Sequence, residues 1–150
     1  MAAPSSSSSS SKPQRATASQ PARKFSLEQA NRALPLVKRI VADIVRTHAL
    51  ASSYREALER TSGTKETAAV QRELDGSIDR LQDLVDELSD VGVELKDYET
   101  GLVDFVGRHD GRDVYLCWKL GEERITHWHE INAGFAGRKP VSTLRERDKA

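Results

Sequence analysis

Four side chains in the second half of the chain, Asp104, Cys117, His127 and His129, are of types that bind metals or perform acid–base chemistry. A cysteine paired with a histidine base and an orienting acid can act as a nucleophile. The same groups are zinc ligands, and the spacing His-x-His places two imidazoles on one side of a β-strand. These residue types therefore indicate two alternative chemistries, a cysteine nucleophile or a metal site, if the fold brings the side chains together.

The segments that would position these side chains are predicted β-strands. The dipeptide at 110–111, Asp-Gly, is preferred by two-residue type I′ hairpin turns, so we expect antiparallel strands at 102–108 and 112–119. A third strand is predicted at 124–130, and a short segment at 93–96 could add a fourth. The result is a small antiparallel meander of three to four strands.

The pairing register decides whether the four side chains meet. The Asp-Gly turn places Asp104 opposite Cys117. A three-residue loop at 121–123 would then place Cys117 opposite His127, with His129 one step along the same face, whereas a two-residue turn there would break the row. The three-residue loop also gathers six apolar side chains on the other face as a core: Val103, Phe105, Val114, Leu116, Trp118 and Trp128.

The stretch 132–140 is a second unusual feature, because two glycines flank Phe135 and are followed by two bases and a proline. Its backbone N–H groups and Arg138 could hold an anion. Alternatively, the loop closes the domain, buries Phe135 in the core and pairs Arg138 with an acid such as Asp104 or Glu122. We favour the closing loop, since aromatic side chains are usually buried.

The first half of the body is predicted to form two amphipathic helices. Residues 26–29 have the pattern of a capping box, and apolar residues then recur every three or four positions to about Arg60. Pro35 predicts either a kink or a helix that begins with this proline in its first turn. A second helix is expected to follow a turn at 61–64 and to end near Val91.

Two long amphipathic helices joined by a short turn lie antiparallel, much as in a coiled coil, so that they cover each other's apolar stripes. The first helix is basic in its first half, and the second is acidic in the half that would lie beside it. We expect flanking ion pairs that fix the register. We do not expect the folded domain to bind nucleic acid, because the acids would repel phosphates.

The length and composition of the chain argue against several classes of protein. The 150 residues carry 23 bases, 23 acids and one cysteine. One domain is expected at this length, no apolar run is long enough for a membrane span, and a single cysteine is typical of a reducing cytoplasm. Residues 1–24 are serine-rich and basic and predict a disordered tail, followed by a domain at 25–141 and a short tail at 142–150.

Several segments of the body form a distinctive pattern: the run from Phe25 to Pro35, Glu94 to Asp97, Gly101 to Phe105, Val114 to Trp118, Gly121-Glu122, Trp128 to Glu130, and Ala133 to Arg138. With these segments the chain resembles a bacterial family known as domain of unknown function 2203. The resemblance implies a small bacterial protein, and it supplies no established activity, ligand or catalytic residue.

Two positions depart from the family pattern or vary within it. Val106 stands where the family commonly has proline, and the position of His127 varies. Five residues fit the pattern and would most economically form any site that the family shares: Asp104, Trp118, Glu122, His129 and Arg138.

We therefore predict an α+β domain in which a long antiparallel helical hairpin packs on the small meander. The leading hypothesis for function is a non-enzymatic protein-interaction or scaffold module of the bacterial cytoplasm. It would bind a protein partner or a second copy of itself through the exposed flank of the helical hairpin or through the polar face of the sheet. Three apolar residues of the first helix lie off its main stripe and motivate this hypothesis: Leu36, Ile40 and Val45.

The alternative is a small enzyme or a metal- or anion-binding module that uses the polar face of the sheet. Its candidate residues are Asp104, Cys117, Glu122, His129 and Arg138. His127 and His129 are the candidate metal ligands of the strand. No cofactor, membrane contact or small-molecule substrate is predicted.

Overall fold

The structure, a computed structural model, describes residues 23–147. The predicted disordered segment therefore lies outside the described residues except for its last two positions. The elements are α1 (Leu27–Arg60), α2 (Thr64–Val91), β1 (Val93–Asp97), β2 (Leu102–His109), β3 (Arg112–Lys119), β4 (His127–Glu130) and β5 (Lys139–Pro140). The strands form one antiparallel sheet in the order β1-β2-β3-β4-β5. The predicted α+β class is confirmed, but the sheet has five strands and not three to four.

Helix α1 begins at the predicted capping box. The Ser26 hydroxyl accepts a hydrogen bond from the Gln29 N–H at 3.0 Å, and the Gln29 side chain accepts one from the Ser26 N–H at 2.9 Å. The helix continues through Pro35, so the prediction of a helix that begins at Pro35 is wrong. Ala30 and Leu34 are buried in the core, and this burial together with the cap stabilises the turns that precede the proline.

The two helices have the geometry of an antiparallel hairpin. Only residues 61–63 separate them. Asp43 of α1 and Arg80 of α2 are almost equally far along the chain from this connection, and Oδ2 of Asp43 lies 4.0 Å from Nη2 of Arg80. Helix α2 ends at Gly92, whose φ of +99° is in the left-handed region that glycine adopts without strain. Neither helix of the described part of the chain combines the length and hydropathy that a bilayer-spanning segment needs.

The charges of the hairpin are arranged differently from the prediction. The pair between Asp43 and Arg80 has its acid on α1 and its base on α2, the reverse of the expected polarity. Two bases of α1 instead contact acids of their own helix, Arg32 with Glu28 and Arg46 with Asp43. Such exposed pairs contribute little, so the apolar stripes are the main attraction between the helices.

The register of the three central strands is the one expected from the three-residue loop, although β3 ends at Lys119 and β4 begins only at His127. Asp104 lies opposite Cys117, and Cys117 lies opposite His127. The turn between β2 and β3 has positive φ at Asp110 and at Gly111, which is the type I′ conformation that the Asp-Gly dipeptide predicts. The missed strand β5 consists of two residues, one of them a proline, and such a short edge strand has no periodicity to detect.

One face of this sheet packs against the helices. The six apolar side chains predicted to form a core are all buried there: Val103, Phe105, Val114, Leu116, Trp118 and Trp128. Of the three apolar residues that lie off the main stripe of α1, Ile40 is buried and Val45 packs against the core. Leu36 is exposed, with 43% of its surface accessible.

Residues 142–147, expected to be part of a tail, lie against the domain. Leu144 packs on the core, and the backbone N–H of Arg145 donates to Nδ1 of His109 at 2.9 Å. The Glu146 carboxylate accepts a hydrogen bond from the first backbone N–H of α1. The two hydrogen bonds each satisfy a polar group at the end of an element, His109 of β2 and the first N–H of α1.

Candidate metal centre

The polar face of the sheet contains a compact cluster of three side chains. Asp104 of β2, Cys117 of β3 and His129 of β4 each direct one possible ligand atom to a common centre, and these atoms all lie within 4.8 Å of one another. The side chains share one face because Asp104 is opposite Cys117, and His129 is two positions from the residue opposite Cys117. The three residues are 2%, 0% and 3% exposed.

The hydrogen bonds of His129 place a lone pair inside the cluster. Nδ1 lies 2.8 Å from the backbone oxygen of Glu130, which can only accept, so Nδ1 must carry a proton. A neutral ring then has its lone pair on Nε2, which lies 3.3 Å from Oδ1 of Asp104. A lone pair that faces an ionised carboxylate requires a proton or a cation between the two atoms. Histidines that bind metals commonly have this arrangement, with the second nitrogen donating to a carbonyl.

Burial changes the protonation of the other two members of the cluster. Burial raises the pKa of Asp104, and the neighbouring His129 opposes this effect. Burial also raises the pKa of Cys117 to about 12, and the Asp104 carboxylate adds to the increase. The thiol is therefore protonated at neutral pH in the metal-free protein, which argues against the predicted alternative of a cysteine nucleophile.

The structure separates the two histidines that the sequence proposed together as ligands. His127 lies on the same face of β4 as His129, opposite Cys117, but it is half-buried and stays outside the cluster found among residues 23–147. Its Nδ1 lies 2.9 Å from the hydroxyl of Thr126. The geometry thus supports His129 as a ligand in combination with Asp104 and Cys117.

The other two candidate residues, Glu122 and Arg138, form an ion pair beside the cluster. Oε2 of Glu122 accepts from Nη2 of Arg138 at 3.1 Å, and Oε1 accepts from the backbone N–H of Lys119 at 2.9 Å. The predicted pairing of Arg138 with an acid is confirmed. Both charges lie close enough to Cys117 to shift the pKa of its thiol, the base lowering it and the acid raising it.

Phe135 does not enter the core, so that part of the closing-loop prediction is wrong. The side chain is 42% exposed and lies against the Arg138 guanidinium, whose carbon is 4.4 Å from the ring centroid. The physical reason is that the cationic plane of Arg138 offers the ring a partner at the surface. Gly134, at φ +74°, makes the turn that presents the ring on the surface.

Three residues around the cluster were not singled out in the sequence. The Tyr115 ring lies 5.4 Å from the ring of His129, and its hydroxyl is 3.4 Å from the Glu94 carboxylate. Lys96 lies over the Tyr115 ring at 4.9 Å. The alternation of charged residues in β1 and the pairing of Tyr115 with His129 were the signals that could have found them.

All five candidate residues lie in the part of the chain that matches a family model. The family is described as Uncharacterized conserved protein (DUF2203), and the match covers residues 23–141. The chain belongs to the DUF2203 family. The resemblance read from the sequence segments is therefore confirmed. Comparisons with curated proteins and with solved structures found no match, so the case for the function of this DUF2203 domain depends on the geometry of the site.

Proposed function

We propose that this protein is a metal-binding module that holds a zinc-type divalent ion between Asp104, Cys117 and His129. The observation that carries the proposal is the convergence of a carboxylate oxygen, a sulfur and an imidazole nitrogen within 4.8 Å of one another in a buried site. Thiolate and imidazole ligands select zinc and similar transition metals over magnesium and calcium, which prefer oxygen.

The distances suit such an ion. Bonds of about 2.0 to 2.3 Å in a tetrahedral arrangement place ligand atoms about 3.3 to 3.8 Å apart. Nε2 of His129 and Oδ1 of Asp104 are 3.3 Å apart, which lies at the lower end of this range. The remaining separations are within 4.8 Å and reach the range by small side-chain rotations on a rigid sheet.

A cation also explains why these groups can be buried together. A buried carboxylate carries a large desolvation penalty unless it is protonated, paired or bound to a metal, and the 3.3 Å contact with His129 gives Asp104 one partner. A divalent ion would convert the Cys117 thiol to a bound thiolate and would occupy the space between Asp104 and His129. Three protein ligands leave a fourth position for water or another molecule, as in catalytic zinc sites, whereas structural sites are closed by four.

Metal titration of the full chain tests the proposal. We expect one Zn²⁺ or Co²⁺ per chain, and a near-ultraviolet band from thiolate-to-cobalt charge transfer that disappears in Cys117→Ser. We expect His129→Ala to weaken Zn²⁺ binding by at least about 100-fold, the upper end of the losses caused by second-shell changes. The matched control is His127→Ala, which removes a histidine of the same strand and face from outside the cluster and should leave the affinity within about threefold.

Two results would overturn the proposal. One is the absence of stoichiometric metal in wild-type protein that is folded by circular dichroism. The other is a loss of affinity in His127→Ala that equals the loss in His129→Ala, since binding would then be a general property of the strand histidines. Cys117→Ser changes only one atom of a buried side chain, so it provides a test even if His129→Ala fails to fold.

The interaction module is a second candidate, supported by the exposure of Leu36. This residue lies in a groove between the two helices whose lining is mixed apolar and charged: Leu36, Arg39, Ile40, Asp43, Glu87 and Val91. The support is narrower than the sequence implied, because Ile40 and Val45 are covered. A second copy of the chain in the bacterial cytoplasm would bury Leu36, so sedimentation should detect a dimer that Leu36→Glu abolishes. A monomer at high concentration would contradict this candidate.

A further inference from the structure

We infer that the metal centre takes a small oxyanion, a carboxylate or a phosphate, as its exogenous ligand, and that Arg138 binds this anion. The inference rests on the proposed metal site and concerns the position that its three protein ligands leave open. It assigns Arg138 a role in ligand binding, and it assigns Glu122 the role of an internal carboxylate that occupies Arg138 when no ligand is bound.

Arg138 is placed beside the metal ligands by the last strand pair. Trp128 of β4 pairs with Lys139 of β5, so Arg138 lies one position further along, next to His129. The side chain is only 16% exposed, so its charge acts in a partly desolvated setting. Its effect on the Cys117 thiol agrees with this placement.

The guanidinium of Arg138 is held in a defined plane, and its hydrogen-bonding capacity is incompletely used. The Phe135 ring lies 4.4 Å from its central carbon. Nη2 donates to Glu122, whereas Nε is buried and has no hydrogen-bond partner among residues 23–147. Nε and Nη2 form one edge of the guanidinium, and such an edge binds the two oxygens of a carboxylate or a phosphate side by side.

Glu122 can fill only half of that edge. Its Oε1 is engaged by the backbone N–H of Lys119, so a single oxygen, Oε2, remains for Arg138. An incoming oxyanion with two free oxygens can satisfy both Nε and Nη2, and it can displace Oε2 without disturbing the bond to Lys119. A buried donor without an acceptor is costly, and a bidentate anion removes that cost.

Arg138 is thus near both His129 and Cys117, and we place the open metal position on the side of its half-used guanidinium edge. A ligand with one oxygen on the metal and the others on Arg138 uses both. Carboxylates and phosphates share this chemistry, and water does not, since it has no pair of acceptor oxygens.

The test measures anion binding to the metal-loaded full chain. Acetate and methyl phosphate are titrated separately into the Co²⁺ protein at constant ionic strength, with calorimetry and the visible cobalt spectrum as readouts. We expect one anion to bind per metal and to change the cobalt bands. We expect Arg138→Gln to weaken this binding at least tenfold while the metal affinity stays within about threefold. The anion with the higher affinity shows whether the site prefers a carboxylate or a phosphate.

The matched control is Lys139→Gln. It removes an adjacent base whose side chain is 49% exposed and contacts Glu130, not Glu122, and it should leave anion affinity unchanged within about twofold. Arg138→Lys retains the charge but lacks the planar edge, so it should bind the anion more weakly than wild type.

Glu122→Gln gives a change of opposite sign that a purely structural ion pair would not produce. Glutamine retains an oxygen for the Lys119 N–H but removes the carboxylate that competes for Arg138, so anion affinity should rise severalfold.

Two outcomes would overturn the inference: equal anion affinity in wild type and Arg138→Gln, or weaker anion binding in Glu122→Gln. Both can occur while the metal still binds stoichiometrically, so they leave the proposed metal site intact. Failure of metal binding in the wild type would instead overturn the metal site, and the inference with it, before any anion is added.

Discussion

On one face of the sheet, Phe105 and Leu116 pack against the helices and have no polar side-chain atom to satisfy. On the other face, Asp104 and Cys117 occupy neighbouring positions of the same two strands and are equally buried. Burial of the apolar pair stabilises the fold by removing hydrocarbon from water. Burial of the polar pair costs free energy unless a proton, a hydrogen bond or a cation compensates it. Equal burial on the two faces therefore has opposite energetic effects, and the proposed metal is one way to compensate the cost on the polar face.

The largest effect is expected from a cavity-forming substitution on the apolar face. Leu116→Ala leaves a cavity among fully buried neighbours, so the free energy of unfolding should fall by about 2 to 5 kcal/mol. Urea denaturation followed by circular dichroism measures this loss. A change below about 1 kcal/mol would mean that this face repacks easily and is not the stabilising side.

The next effect concerns the metal proposed for the polar face. Free Zn²⁺ at 100 times its dissociation constant should stabilise the protein by about 2.7 kcal/mol, because only the folded state presents the three ligands together. Thermal unfolding with and without a chelator measures the difference, which should be absent in His129→Ala. An equal stabilisation in His129→Ala would locate the bound metal elsewhere.

A smaller effect should be seen in the metal-free protein. Asp104→Asn replaces a buried carboxylate by an amide that can donate to Nε2 of His129, so it should leave the free energy of unfolding unchanged or raise it by about 1 kcal/mol. The same variant should lose metal binding. Strong destabilisation of the metal-free variant would show that the polar face also holds the fold together.

The smallest effect concerns His109, a buried polar side chain on the apolar face of the sheet. His109 is 5% exposed, lies against Trp128, and accepts a hydrogen bond from the Arg145 N–H through Nδ1. Burial lowers its pKa below the ordinary 6.5, while nearby charges act in both directions, Asp110 and Glu130 raising the pKa, Arg145 and Arg112 lowering it.

The unfolded state therefore binds more protons just below pH 6.5, and stability should fall as the pH drops through that value. The slope should stay below about 1.4 kcal/mol per pH unit, the limit for one proton. Denaturation of wild type and His109→Gln between about pH 7.5 and 5.5 measures it. A slope that is identical in the two proteins would assign the pH dependence to another group.

Two structural features that depend on a few adjacent residues were predicted correctly from the sequence. The capping box at Ser26 and Gln29 and the turn at Asp110-Gly111 appear as expected, because each depends on a few adjacent residues. Predictions about burial were less secure. Pro35 lies inside a helix because tertiary burial of the preceding turns outweighs the cost of a proline, and Phe135 lies on the surface against the Arg138 guanidinium.

The sequence by itself determined that Asp104 and Cys117 would be opposite each other, because the Asp-Gly turn fixes the register of β2 and β3 and side chains alternate with a period of two. The strand register alone did not choose between His127 and His129, which lie on the same side of β4, although the family pattern favoured His129. Only the tertiary structure decided that His129 joins the cluster, where its Nδ1 donates to the Glu130 carbonyl and its Nε2 faces Asp104. It also decided that the polar face is buried, since burial depends on contacts between segments distant in the chain.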